Sequence, residues 1–173
     1  ADSPLRLLRL PVALVKHYIF GIRTTHFWIP KTPLEKQVWS IAFSTSVFPA
    51  RGTALLRQLV ADEVIEAHLV TARFSFMHED LIRWLVWRGM RQVFASVTLN
   101  KKNEQPHRFK ERVIAAKRFD YFIEDNLDIV QFLAGRTRTN IFWIYNLLDH
   151  FTPYPNKFPY LEKALISIIK RKL

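Results

Sequence analysis

Residues 119–128 read FDYFIEDNLD. A run of aromatic and β-branched side chains stops at two acids, Glu124 and Asp125, and a polar turn then opens a new apolar segment. Such a run is a short buried strand, and the apolar segment after the turn is a helix over 127–133. The same grammar extends in both directions. AHLVTA at 67–72, QVFASVTL at 92–99 and NIFWIYNLL at 140–148 are strands by the same reading. Between them lie helical spacings: Thr53 to Val60 with Leu55, Leu56 and Leu59 on one side, and His78 to Trp87 with Leu81, Ile82, Leu85 and Val86. Pro106 to Arg118 is another, with proline at its first turn, and Pro159 to Lys172 closes the chain. VWSIAFS, residues 38–44, alternates apolar with small or polar residues and predicts a first strand, which ends in the turn STSVFPARG.

Strands that alternate with helices across short connections are parallel strands joined by crossover helices. The expected fold is therefore α/β, a three-layer sandwich with a central parallel sheet, over residues 38–173. Ligands bind such sheets at the carboxyl ends of the strands. Ser44, Ser46, Thr71, Lys101, Lys102, Glu124 and Asp125 all fall at or just beyond those ends.

Residues 1–37 form an N-terminal helical and irregular extension. Leu5, Leu8, Val12, Val15 and Ile19 recur at helical spacing with Arg6, Arg9 and Lys16 between them, and Pro11 breaks or kinks the run. The segment reads either as a helix packed on the domain or as a basic amphipathic element for a membrane surface or a larger partner. Residues 24–36, with two prolines, read as an irregular connector.

The chain has 173 residues, enough for one domain. Its 49% hydrophobic and 24% charged residues exclude a disordered chain. The absence of cysteine excludes disulfides, thiolate zinc sites and cysteine nucleophiles. The longest uncharged run, Gln37 to Ala50, is too short and too polar to cross a bilayer. Arg9, Pro11 and Lys16 interrupt the apolar N-terminus, so a secretory signal is not expected. The expectation is a soluble or peripherally membrane-associated protein whose compartment has no residue signature.

The net charge of +11 favours an anionic partner. Residues 101–118 concentrate it, with seven basic residues against Glu104 and Glu111. That cluster is either a solvated helix face or a polyanion-binding surface.

The order of polar residues resembles the haloacid dehalogenase (HAD) superfamily of phosphohydrolases, over about residues 38 to 170. HLVTA matches the second motif, a hydrophobic strand ending in Thr71. Lys101 or Lys102 in LNKKNEQPHRFK meets the third, a lysine near a helix start. FIEDNLD supplies the acidic pair of the fourth, Glu124 and Asp125, with Asp128 nearby. The first motif departs. The family carries Asp, any residue, Asp after its first strand, whereas IAFSTSVF places Ser44 at the nucleophile position and Ser46 at the acid/base position.

In the family the first Asp attacks phosphorus and ligates Mg²⁺, and the second protonates the leaving group. Serines in both places remove that chemistry. A hard cation loses a charged ligand, so Glu124 and Asp125 imply at most weakly bound Mg²⁺, and no other cofactor. Ser44, Ser46, Thr71, Lys101 and Lys102 are left as a phosphate-binding set. Short links after the first two strands imply a capless domain.

The resemblance thus implies a catalytically degenerate HAD-like domain, a pseudoenzyme serving as a binding or structural module with protein partners in a larger complex. The alternative is an active Mg²⁺-dependent phosphohydrolase on Thr71, Lys101 or Lys102, Glu124 and Asp125. A third reading is a nucleic-acid-associated protein using residues 101–118, and residues 1–23 could address an anionic membrane surface.

Overall fold

The computed structural model describes residues 29–43, 50–146 and 149–172. The expected N-terminal amphipathic segment, and with it the membrane contact through residues 1–23, lies outside them, as do Ser44 and Ser46. The order of elements is α1 (Pro33–Phe43), α2 (Thr53–Ala61), β1 (His68–Thr71), α3 (His78–Trp87), β2 (Ser96–Leu99) and α4 (Pro106–Lys117). β3 (Tyr121–Glu124), α5 (Leu127–Leu133), β4 (Asn140–Ile144), β5 (Lys157–Phe158) and α6 (Leu161–Lys172) complete the chain.

The alternation of strand and helix from residue 53 onward is as the apolar spacing predicts. The last expected strand, 140–148, ends at Ile144, and two further segments differ. Residues 91–93 form a 3₁₀ turn, so the strand expected from residue 92 starts at Ser96. The other difference is larger. Residues 38–43, read as a strand, belong to helix α1, which also runs across the expected boundary at residue 38.

The physical cause is a capping box that precedes the apolar alternation. Thr32 Oγ1 accepts the Glu35 N–H at 3.2 Å, and Glu35 Oε2 accepts the N–H of Thr32 at 3.0 Å and of Lys31 at 2.6 Å. These bonds hold the Glu35 carboxyl below the usual range, the Thr32 amide contributing most. Pro33 takes the first helical position, where its missing N–H costs nothing. A sealed helix start dominates a short alternation, although Val38, Trp39, Ile41 and Phe43 favour strands.

The described strands make two parallel sheets rather than one. β1 pairs with β2, from His68 opposite Ser96 to Thr71 opposite Leu99. β3 pairs with β4 and β4 with β5, with Tyr121 opposite Asn140 and Trp143 opposite Lys157. β5, only two residues long, has no counterpart among the strands expected from the sequence.

Each sheet has its own packing. On one face of β3–β4, Phe122, Ile141 and Trp143 meet Ile114 of α4 and Leu127, Val130 and Leu133 of α5. On the other, Phe142 meets Ala164 and Ile168 of α6, with Tyr121, Ile123 and Phe158 around them. The β1–β2 sheet sets Leu69, Val97 and Leu99 against Leu81 and Leu85 of α3, with Leu56 and Val60 of α2 nearby. Each fully buried aromatic or leucine contributes roughly 1.5–3 kcal/mol relative to exposure.

α2 and α6 meet at their starts. Gly52 stands at φ 108° just before α2, and a Cβ there would fall on the backbone of Glu162. Glu162 N–H donates to Arg51 O, and Arg51 Nε pairs with the Glu162 carboxylate at 3.0 Å.

Candidate functional site

The carboxyl ends of β1 and β3 open onto one cleft of about 230 Å³. Thr71, Arg73, Phe74, Lys110, Glu124, Asp125 and Asn126 line it. It is built by three turns. After β1, the Thr71 hydroxyl accepts the Arg73 N–H at 3.4 Å, and His78 Nε2 bonds Arg73 O at 2.8 Å, which ties the turn to the start of α3. After β2, the fully buried Asn100 donates to Ala72 O and to Glu104 O and accepts the Glu104 N–H. One amide side chain thereby joins the turns beyond β1 and β2. After β3, Asn126 caps α5 by accepting the Ile129 N–H at 3.1 Å.

Glu124 lies at the floor, buried, with both carboxylate oxygens engaged. Oε1 accepts the Asn126 N–H at 3.1 Å, and Oε2 accepts the ammonium of Lys110, itself nearly buried. Burial pushes the Glu124 pKa up and the neighbouring Asp125 adds to the rise, while Lys110 pulls the other way. Burial in turn lowers the pKa of Arg73, whose guanidinium has no carboxylate partner among the described residues.

Of the residues singled out in the sequence, Thr71, Glu124 and Asp125 come together here. Lys101 and Lys102 do not. They stand exposed on the turn after β2, away from the cleft lining, and the lysine that reaches the acidic pair is Lys110. Its helical phase carries the signal. Lys110 shares a helical face with His107 and Ile114, both buried, so it points inward. Arg73, two residues past Thr71, is a second site residue that sequence reasoning missed; the stretch TARF offers an arginine in the ligand-binding turn.

The donor set suits an anion better than a hard cation. Glu124 spends its oxygens on Lys110 and Asn126, which leaves Asp125 as the exposed carboxylate of the lining. Mg²⁺ held by protein alone needs more carboxylate than this. Among the described residues, no cluster of three or more His, Asp or Glu forms a metal-binding group.

The basic run 101–118 is largely neutralised where it lies on α4. Arg108 pairs with Glu111 at 3.3 Å, Arg112 Nε donates to Glu104 at 3.2 Å, and Lys110 is turned into the cleft.

No family model, curated protein or solved structure matches this chain. Among the described residues, no helix is long and apolar enough to cross a membrane.

Proposed function

We propose that this chain is a HAD-like α/β domain, a three-layer sandwich in plan, whose cleft receives a phosphorylated ligand without turning it over and which serves as a binding or structural module in a larger assembly. The observation that carries the reading is the state of Glu124. Held by Lys110 and the Asn126 amide, it acts as a brace between α4 and β3 rather than as a metal ligand. Arg73 and the Thr71 hydroxyl then supply the charge and the hydrogen bond that an oxyanion needs. Phosphate is bound without metal, and no nucleophile is required among the residues that line the cleft.

Titration with inorganic phosphate, with and without Mg²⁺, tests this directly. Saturable binding that Mg²⁺ leaves unchanged supports the reading. Turnover of an aryl phosphate that needs Mg²⁺ and is lost in Asp125→Asn favours the second reading, an active Mg²⁺-dependent phosphohydrolase. One observation speaks for that alternative: Thr71, Glu124 and Asp125 converge on a single cleft, as the family resemblance implies for its second and fourth motifs, while Lys101 and Lys102, expected for the third, do not line it. Nucleic-acid binding is the least favoured, since Glu104, Glu111 and Glu124 pair with three of the basic residues of α4.

A further inference from the structure

The amino end of the β1–β2 sheet, opposite to the cleft, carries a second group of reactive side chains. His68 and Ser96 are the first residues of β1 and β2, and the ladder sets them side by side. Side chains alternate along an extended chain, so Glu66, two residues before His68, falls on the face that His68 uses. The distances agree. His68 Nε2 lies 2.8 Å from Glu66 Oε1, and His68 Nδ1 lies 2.8 Å from Ser96 Oγ. The order of these bonds places the proton. A carboxylate only accepts, so Nε2 carries the hydrogen that Glu66 holds, and in the neutral ring Nδ1 is then an acceptor. The Ser96 hydroxyl therefore donates to it. The Phe119 ring, 5.2 Å away, flanks the imidazole. The Ala95 N–H goes to Ala67 O on the β1 side, so the next amide, that of Ser96, points to the other edge of β2. The row is open to solvent: Ser96 is half-buried and the Glu66 side chain is 71% exposed.

We infer that Ser96 is a nucleophile for acyl transfer from small carboxylic esters, with His68 as its base and Glu66 as the positioning residue that fixes the ring. A serine whose proton points at a ring nitrogen, with that ring oriented by a carboxylate, is the arrangement such chemistry uses. Attack forms the bond from Ser96 Oγ to the acyl carbon, and the hydroxyl proton passes to His68 Nδ1. Collapse breaks the ester bond, and the departing alcohol takes that proton. Water then attacks the acyl carbon by the same route and releases the carboxylic acid, which restores Ser96. The Ser96 amide is the oxyanion donor, a part that the nucleophile's own N–H plays in serine acyl transfer. Phe119 gives a short acyl group its apolar wall. The site draws nothing from the cleft at the carboxyl ends of the strands, so it stands or falls apart from the phosphate reading.

The test uses the whole chain and p-nitrophenyl acetate, with peptide mass mapping of the acetylated protein and a melt of each variant. Ser96 should carry the acetyl group, and nitrophenolate release should fall to background in Ser96→Ala. His68→Asn keeps a polar atom beside the hydroxyl but takes no proton from it, and should lower kcat at least about a hundredfold. Glu66→Gln offers Nε2 a donor and so favours the wrong tautomer. Because Glu66 is exposed and water shares its place, kcat should fall only about tenfold, with KM and Tm held. Acetyl groups confined to lysines or other serines overturn the inference. So does release that persists in Ser96→Ala, or a kcat that His68→Asn leaves within about twofold. A Glu66→Gln effect on Tm with kcat unchanged removes Glu66 from its role. Should a variant melt early, mapping of Ser96 in the native chain still decides, since it needs no substitution.

Discussion

The Lys110 ammonium meets the Glu124 carboxylate inside the protein, joining the inner face of α4 to the end of β3. Breaking such a pair leaves one charge buried without its counter-ion, and that state costs about 3–5 kcal/mol. Lys110→Met should lower unfolding free energy by that order in denaturant titrations. The double variant Lys110→Met with Glu124→Leu should recover much of the loss. A double variant no more stable than the single would mean that packing, rather than the lone carboxylate, sets the penalty.

Burial raises the folded-state pKa of Glu124 above its unfolded value, so the folded protein holds that proton more tightly. The resulting stabilisation is complete below the ordinary carboxylate range and is lost as pH rises through the raised value. Glu124→Gln cannot titrate. The stability of the native chain minus that of this variant should therefore fall as pH is raised from about 4. Paired melts across pH measure it, and a difference that stays flat or climbs contradicts the burial argument.

Arg73, not Lys101 or Lys102, is the cation that should govern anion binding. Arg73→Gln should weaken inorganic phosphate about tenfold, in line with a lost charge-assisted hydrogen bond. Lys101→Ala with Lys102→Ala should leave the Kd within about twofold, as solvated charges contribute little. Calorimetry on the two variants side by side decides it. The opposite ranking would return the site to the turn after β2.

Asn100 satisfies three backbone groups with one buried side chain. Asn100→Ala leaves them without partners and should cost about 2 kcal/mol, with a fall in Tm of several degrees. The variant should also loosen the turn that carries Arg73, so phosphate affinity and Tm fall together. Unchanged Tm would show that water takes over the amide's bonds.

Gly52→Ala should be among the most damaging single changes. The new methyl meets the Glu162 backbone, and φ 108° is foreign to alanine. A loss of about 3 kcal/mol or more is expected in chemical denaturation. Loss within the range of an ordinary surface change would mean that α2 and α6 can separate freely.

Much of this arrangement is legible in residue types, and the parts that are not have identifiable causes. HLVT, SVTL and YFIE are legible as strands because four residues of mostly β-branched or aromatic character stop at polar turns. Thr71, Glu124 and Asp125 are legible as residues of one cleft because they stand at strand ends, where such folds open their clefts. Lys110 is not, because a turn lysine two residues past a strand looks better placed than one in mid-helix. Only the helical phase, with Ile114 one turn on, reveals that Lys110 points inward. The α1 segment misleads because Trp39, Ile41 and Phe43 alternate with Ser40, Ala42 and Ser44 as in a strand unless the Thr32–Glu35 cap before them is weighed first. β5 escapes because two residues carry no periodicity. The pairing of the described strands into two separate sheets has no signature in any single segment.

The junction at Gly52 also has a consequence for how the protein is made. Arg51 and Glu162, which clamp the starts of α2 and α6, are 111 positions apart. The second tie runs nearly as far, from the Lys172 ammonium to the Val64 carbonyl at 3.3 Å. A nascent chain emerges from the ribosome in order, and domains complete their folding only when distant segments are available. Leu56 and Val60 of α2 find cover early, against Leu81, Leu85 and Val93, but the clamp to α6 waits for nearly the whole remaining sequence. Messages truncated before Leu161 should therefore yield products that unfold at lower denaturant than the whole chain, since they lack the partner of Arg51.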